Sequence, residues 1–170
     1  MLTAACGAEG TVLSVQEKAL GITSPAFREG EAIPDIYSCD GENVSPMIQW
    51  QSVPEGTASF ALIMDDPDAP RGVFTHWIIF NIHVSTPFLP KGLSRGLLPD
   101  SGVVQGSNSF NNSGFDGPCP PPGSPHHYIF TIYALDRMLD LPAGSTKAEV
   151  LAAMEGSILA KGQLTGTFTR

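Results

Sequence analysis

A mainly β, single-domain protein is what this sequence predicts, and three observations carry the prediction. Glycine and proline are abundant, 18 and 15 of 170 residues, about one residue in five against roughly one in eight in average usage. Three apolar runs of strand length stand between these breakers, at Ser59–Met64, Phe74–Ile82 and Tyr128–Leu135. Only one stretch has helical spacing. A chain of 170 residues and 18.0 kDa is long enough to bury a core of its own. We assign residues 21–170 to that domain and 1–20 to an N-terminal tail.

In chain order, Ser24-Pro25-Ala26-Phe27 and Gly30 open a first extended segment with Ile33, Ile36 and Tyr37 as apolar contacts. Asp40-Gly41 is a turn, Ser45-Pro46 restarts an extended run through Ile48 and Trp50, and Pro54–Thr57 turns again. Ser59–Met64 is apolar almost throughout, as in a strand covered on both faces. Phe74–Ile82 and Tyr128–Leu135 are rich in aromatic and β-branched residues, which suit strands. Thr146-Lys147-Ala148-Glu149 forms a capping box, so a helix should start there. Val150, Leu151 and Met154 would make its apolar face and Gly156 its left-handed end. Leu164–Thr169 suggests a closing strand. The Gly-, Asn- and Pro-rich stretch from Ser107 to Pro125 is long for a loop in a compact domain, which points to a function.

The net charge of −8 argues against nucleic acid or an anionic membrane surface as a partner. No apolar run approaches the 18 or so residues of a membrane-spanning helix. Near the start, Leu2-Thr3-Ala4-Ala5-Cys6-Gly7 resembles the cleavage end of a lipoprotein signal, but only five residues precede Cys6, too few for a basic region and an apolar stretch. Either the tail is an unstructured start with an incidental thiol, or it is the remnant of a trimmed signal. Cys6, Cys39 and Cys119 are too scattered for a zinc site. Cys39 and Cys119 lie in loops, and two states stay open for them: a bridge in an oxidising compartment, or two free thiols in the cytoplasm.

Polar residues interrupt the apolar strands at three places. Asp65-Asp66-Pro67-Asp68-Ala69-Pro70 ends one strand, and Thr75-His76-Trp77 lies within the next. Alternation places His76 on the face of Phe74, Ile78 and Phe80. In a hairpin with Asp66 opposite Phe74, Asp66 and His76 would be diagonal neighbours, about 7–8 Å apart. The bland alternative is a turn-capping carboxylate and a satisfied core histidine. Gly117-Pro118-Cys119-Pro120-Pro121 then leads into His126-His127-Tyr128. Adjacent residues of a strand face opposite ways, so His126 and His127 cannot share one metal or proton. No metal-ligand spacing, nucleotide-binding glycine loop or nucleophile elbow is present.

These motifs, with Cys39-Asp40-Gly41-Glu42-Asn43-Val44-Ser45-Pro46, resemble those of the phosphatidylethanolamine-binding protein family, in its prokaryotic Raf kinase inhibitor-like branch. The similarity runs from about Ser24 to the C-terminus. The resemblance implies a large antiparallel sheet packed on a smaller one, with a few peripheral helices and a pocket for small anions at one end. It implies a ligand set of Asp66, His76 and His126, the aromatic Tyr128, and a backbone N–H donor at Cys119. Two histidines and an N–H can donate to phosphate oxygens, and Asp66 can fix one histidine's tautomer. His127, where many members carry arginine, is left out of the pocket.

The resemblance also favours a Cys39–Cys119 bridge, an extracytoplasmic location (periplasm or cell envelope, with Cys6 as a lipid attachment point) over a cytoplasmic one, and a homodimer. The expected function is non-enzymatic binding of a small phosphorylated or carboxylated ligand, with no cofactor and no metal. Two alternatives stand beside it: a hydrolase using Asp66 and His76 as an acid/base pair, and an inhibitor of a protease or kinase acting through the loops from Ser107 to Pro125.

Overall fold

The computed structural model describes residues 18–93 and 102–170. The Cys6 motif therefore lies outside the described residues. Nine strands, one α-helix and a 3-10 turn make up the described chain: β1 Lys18–Ala19, β2 Gly21–Thr23, the turn Asp35–Tyr37, β3 Ile48–Gln51, β4 Ser59–Asp66, β5 Phe74–His83, β6 Phe88–Leu89, β7 Val104–Gln105, β8 His126–Leu135, α1 Lys147–Met154 and β9 Ile158–Phe168. Six strands form a large sheet in the order β1-β9-β8-β4-β5-β7, and β2-β3-β6 form a small one. All pairings are antiparallel except β1 with β9. The large sheet takes in Lys18 and Ala19, within the stretch assigned to the tail, and Leu20 beside them is buried, its N–H donating to the Lys161 carbonyl at 3.0 Å.

The core is in two layers. Between the sheets, Phe60, Leu62 and Met64 of β4, Trp77 and Ile79 of β5, and Tyr128, Phe130 and Ile132 of β8 pack on Ile22, Ile48, Trp50 and Leu89 of the small sheet. On the far face Ala61, Ile63, Ile78 and Phe80 pack on Leu139 and on Val150 and Met154 of α1. Central strands covered on both sides must be apolar at nearly every position, and β4 is. The capping box forms as read, with Thr146 Oγ1 accepting from the Glu149 N–H and Glu149 Oε2 accepting from the Thr146 N–H. Gly156 follows the helix with φ +72°, the left-handed conformation that stops it.

Three local expectations are corrected. Leu151 is 38% exposed, because it lies one position past Val150 and points off the buried stripe. The segment around Ile36 is a 3-10 turn and not extended. The closing strand starts at Ile158, not Leu164; its inward positions include Ala160, Gly162 and Gly166, too small to register as an apolar pattern.

The correction that bears on function concerns β5. Asp66 does pair with Phe74, but the register shifts between Met64/Trp77 and Asp65/Thr75, so β5 carries an extra residue there. A bulge of this kind reverses the facing of everything beyond it. Ile78 and Phe80 consequently face the helix side, whereas His76 packs on Tyr128, on the side of the core between the sheets.

Candidate functional site

Three neighbouring strand ends deliver the polar residues to one place. Asp66 is the last residue of β4, His126 the first of β8, and His76 sits at the bulge of β5. Asp66 Oδ2 is 2.7 Å from His126 Nδ1, and these side chains are 4% and 12% exposed. The same carboxylate accepts the Asp68 N–H at 2.8 Å, a turn closed by the aspartate side chain that Pro67 and Pro70 stiffen. His76 is 3% exposed and directs Nδ1 to the Asp116 carbonyl at 2.8 Å. Its ring lies among Phe74, Phe110 and Tyr128, at centroid distances of 5.1, 5.6 and 5.2 Å. Burial holds the His76 pKa below the usual imidazole value, while the Asp116 carbonyl and the Asp66 charge oppose that shift.

Asp66, His76, Cys119 and His126 line one cavity of about 160 Å³, whose apolar wall includes Phe74, Phe110, Pro70 and Pro121. That is below the roughly 300–1,000 Å³ of sites for drug-sized molecules. Tyr128 is not in the wall. It is fully buried behind His76, and its hydroxyl makes no hydrogen bond among the described residues. Burial, then the nearby Asp66 charge, pushes its pKa well above the ordinary phenol value, with the Cys119 N–H acting in the opposite direction.

The expected partnership of Asp66 with His76 is not the one found, since the carboxylate is bonded to His126 and His76 to a carbonyl. His127 lies outside the cavity, as alternation requires, with its N–H and Nδ1 on Asp68 Oδ2 at 2.8 and 2.7 Å. Those bonds hold the Asp68 carboxyl below its ordinary range.

Sequence reasoning missed the support beneath His76. The Asp116 carboxylate is buried and accepts from Asn108 Nδ2 at 2.8 Å, Asn112 Nδ2 at 2.9 Å and Asn43 Nδ2 at 3.4 Å. The Asp116 N–H donates to the His76 carbonyl at 3.1 Å, so backbone and ring of His76 are held by one residue. Next to it, Gly117 packs so closely that any Cβ would overlap the Tyr37 carbonyl, and its N–H donates to Asn43 Oδ1 at 2.7 Å. A disulfide joins Cys39 to Cys119 with Cα atoms 5.4 Å apart, and the Cys39 N–H donates to the Pro118 carbonyl at 3.0 Å. The only available signal for this loop was its length and its Asn and Gly content. Among the described residues no group of three or more His, Cys, Asp or Glu side chains is placed to hold a metal ion.

A family model described as phosphatidylethanolamine-binding protein matches residues 23–169. The chain belongs to the phosphatidylethanolamine-binding protein family. It is 47% identical over 152 residues to a UPF0098 protein of Methanothermobacter thermautotrophicus, covering 89% of this chain and 99% of that one. It is 38% identical over 157 residues to the UPF0098 protein YbhB of Escherichia coli, covering 87% and 99%. A third relative, LppC of Mycobacterium tuberculosis, a proposed lipoprotein, is 40% identical over 154 residues, covering 88% and 72%. The crystal structure of E. coli YbcL, described as a new member of the mammalian PEBP family, superposes with a TM-score of 0.83 at 35% identity, covering 90% of this chain and 99% of that one. The mainly β architecture of two antiparallel sheets is thus the family fold.

Proposed function

We propose that this phosphatidylethanolamine-binding family member captures a small oxyanion, such as phosphate or a phosphorylated head group, in the cavity between Asp66, His76 and His126, without covalent chemistry. The observation that carries this reading is the convergence of two imidazoles from different strands on one small cavity, each held by a partner at Nδ1. Hydrogen bonds to an ionised ligand are worth about 1.5–3 kcal/mol each. Calorimetric titration of inorganic phosphate into the wild type and His126→Ala at about pH 6 tests it. Loss of at least ten-fold in affinity in the variant is expected, and equal affinities would remove the site from the argument.

The Asp66–His126 pair supports a second reading, a hydrolase in which His126 activates water. It requires turnover of some ester or phosphoester that Asp66→Asn abolishes. The Cys39–Cys119 bridge and the resemblance to LppC support an extracytoplasmic location, since disulfides persist in oxidising compartments.

A further inference from the structure

The two imidazoles do not offer hydrogen to a ligand when they are neutral. A carbonyl oxygen only accepts, so Nδ1 of His76 must carry a proton to bond the Asp116 carbonyl. The ionised Asp66 carboxylate imposes the same tautomer on His126. In each ring the proton is at Nδ1, and Nε2, which makes no hydrogen bond among the described residues, is a lone pair. A fully deprotonated anion entering at alkaline pH would therefore meet two acceptors and the Asp66 charge. The other groups facing the rings do not change this. The Tyr128 hydroxyl from β8 stays neutral behind His76, the Asp116 carboxylate is turned to its asparagines, and the nearby cation Arg170 is held by Asp40 at 3.0 Å.

From this arrangement we propose that the cavity takes its ligand together with a proton, selecting oxyanions that bring an acidic O–H over those that cannot. The proposal rests on the anion-binding reading and specifies the ligand class. The ligand's hydroxyl donates to one Nε2, and its ionised oxygens accept from the other only once that nitrogen is protonated. Burial disfavours the charged form of His76, whereas the ring of His126 has the Asp66 carboxylate at Nδ1 to balance the charge of a proton taken up at Nε2.

Inorganic phosphate and sulfate separate the possibilities. Near pH 8 both are tetrahedral dianions, but only phosphate retains an O–H. Calorimetry on the wild type at about pH 8 should show phosphate binding at least ten-fold more tightly than sulfate, and sulfate should gain affinity by about pH 5.5 with proton uptake visible in buffers of different ionisation heat. In Asp66→Asn the amide donates to His126 Nδ1 and moves its proton to Nε2, so the preference for phosphate at pH 8 should collapse. Imidazole nitrogen shifts by NMR on the wild type check the tautomers without any variant. Equal binding of both anions at pH 8 without proton uptake, or an Nε2–H tautomer in either ring, overturns this proposal while leaving anion binding intact. If neither anion binds between pH 5.5 and 8, both readings are overturned.

Discussion

Reduction of the Cys39–Cys119 bridge should lower stability by an amount that chain connectivity sets. The two cysteines are 80 residues apart in sequence. Releasing a loop of that size returns about 4.5 kcal/mol of entropy to the unfolded chain at 25 °C in the loop-closure treatment, and native bridges commonly deliver about 2–4 kcal/mol. For a domain of this size each kcal/mol moves Tm by about 2–4 °C, so reduction should lower Tm by roughly 4–16 °C. The Cys39 N–H still bonds the Pro118 carbonyl after reduction, and the two-layer core does not involve the bridge. The reduced protein should therefore stay folded at 25 °C. Differential scanning calorimetry with and without a phosphine reductant measures the shift, a thiol titration confirms two newly freed cysteines, and Cys39→Ser/Cys119→Ser reproduces it without reductant. A Tm unchanged within about 2 °C after confirmed reduction would refute the reasoning.

Further outcomes follow from the same geometry. His76, whose folded pKa is depressed by burial, should make the fold less stable as pH drops below about 6.5, because the unfolded chain binds that proton first. Urea unfolding between pH 7.5 and 5 should show a fall of up to about 1.4 kcal/mol per pH unit that His76→Gln removes. Gly117→Ala must push its loop off the Tyr37 carbonyl; we expect a loss of about 1–3 kcal/mol and weakened phosphate binding, read by chemical denaturation and calorimetry. Asn108→Ala leaves the buried Asp116 carboxylate short of a donor, at a cost of about 1–3 kcal/mol in the same denaturation assay. Thr146→Ala should cost about 1 kcal/mol through the lost helix cap without altering phosphate affinity.

Legibility in the sequence tracked how each element is stabilised. Strands β4, β5 and β8 are apolar because both faces are covered, and the capping box at Thr146 is a local motif, so both could be read from short windows. Strand β9 was read only at its end, since Gly162 and Gly166 fill inward positions without hydrophobic character. The register with Asp66 opposite Phe74 was an assumption that the hairpin meets. The bulge that turns His76 toward Tyr128 did not, because it depends on how three strands meet and leaves no mark in local periodicity. The partner of Asp66 was likewise a matter of strand order: β8, not β5, brings the closer imidazole nitrogen. The Asp116–asparagine network lies in a loop whose order comes from side-chain hydrogen bonds spanning up to 74 residues, beyond any spacing rule.

A crystal structure of the protein soaked in phosphate at about pH 5.5 tests the central claim most directly. Our account places phosphate oxygens within about 2.7–3.2 Å of Nε2 of both His76 and His126. Phosphate bound elsewhere on the surface, with none between these two rings, would contradict it.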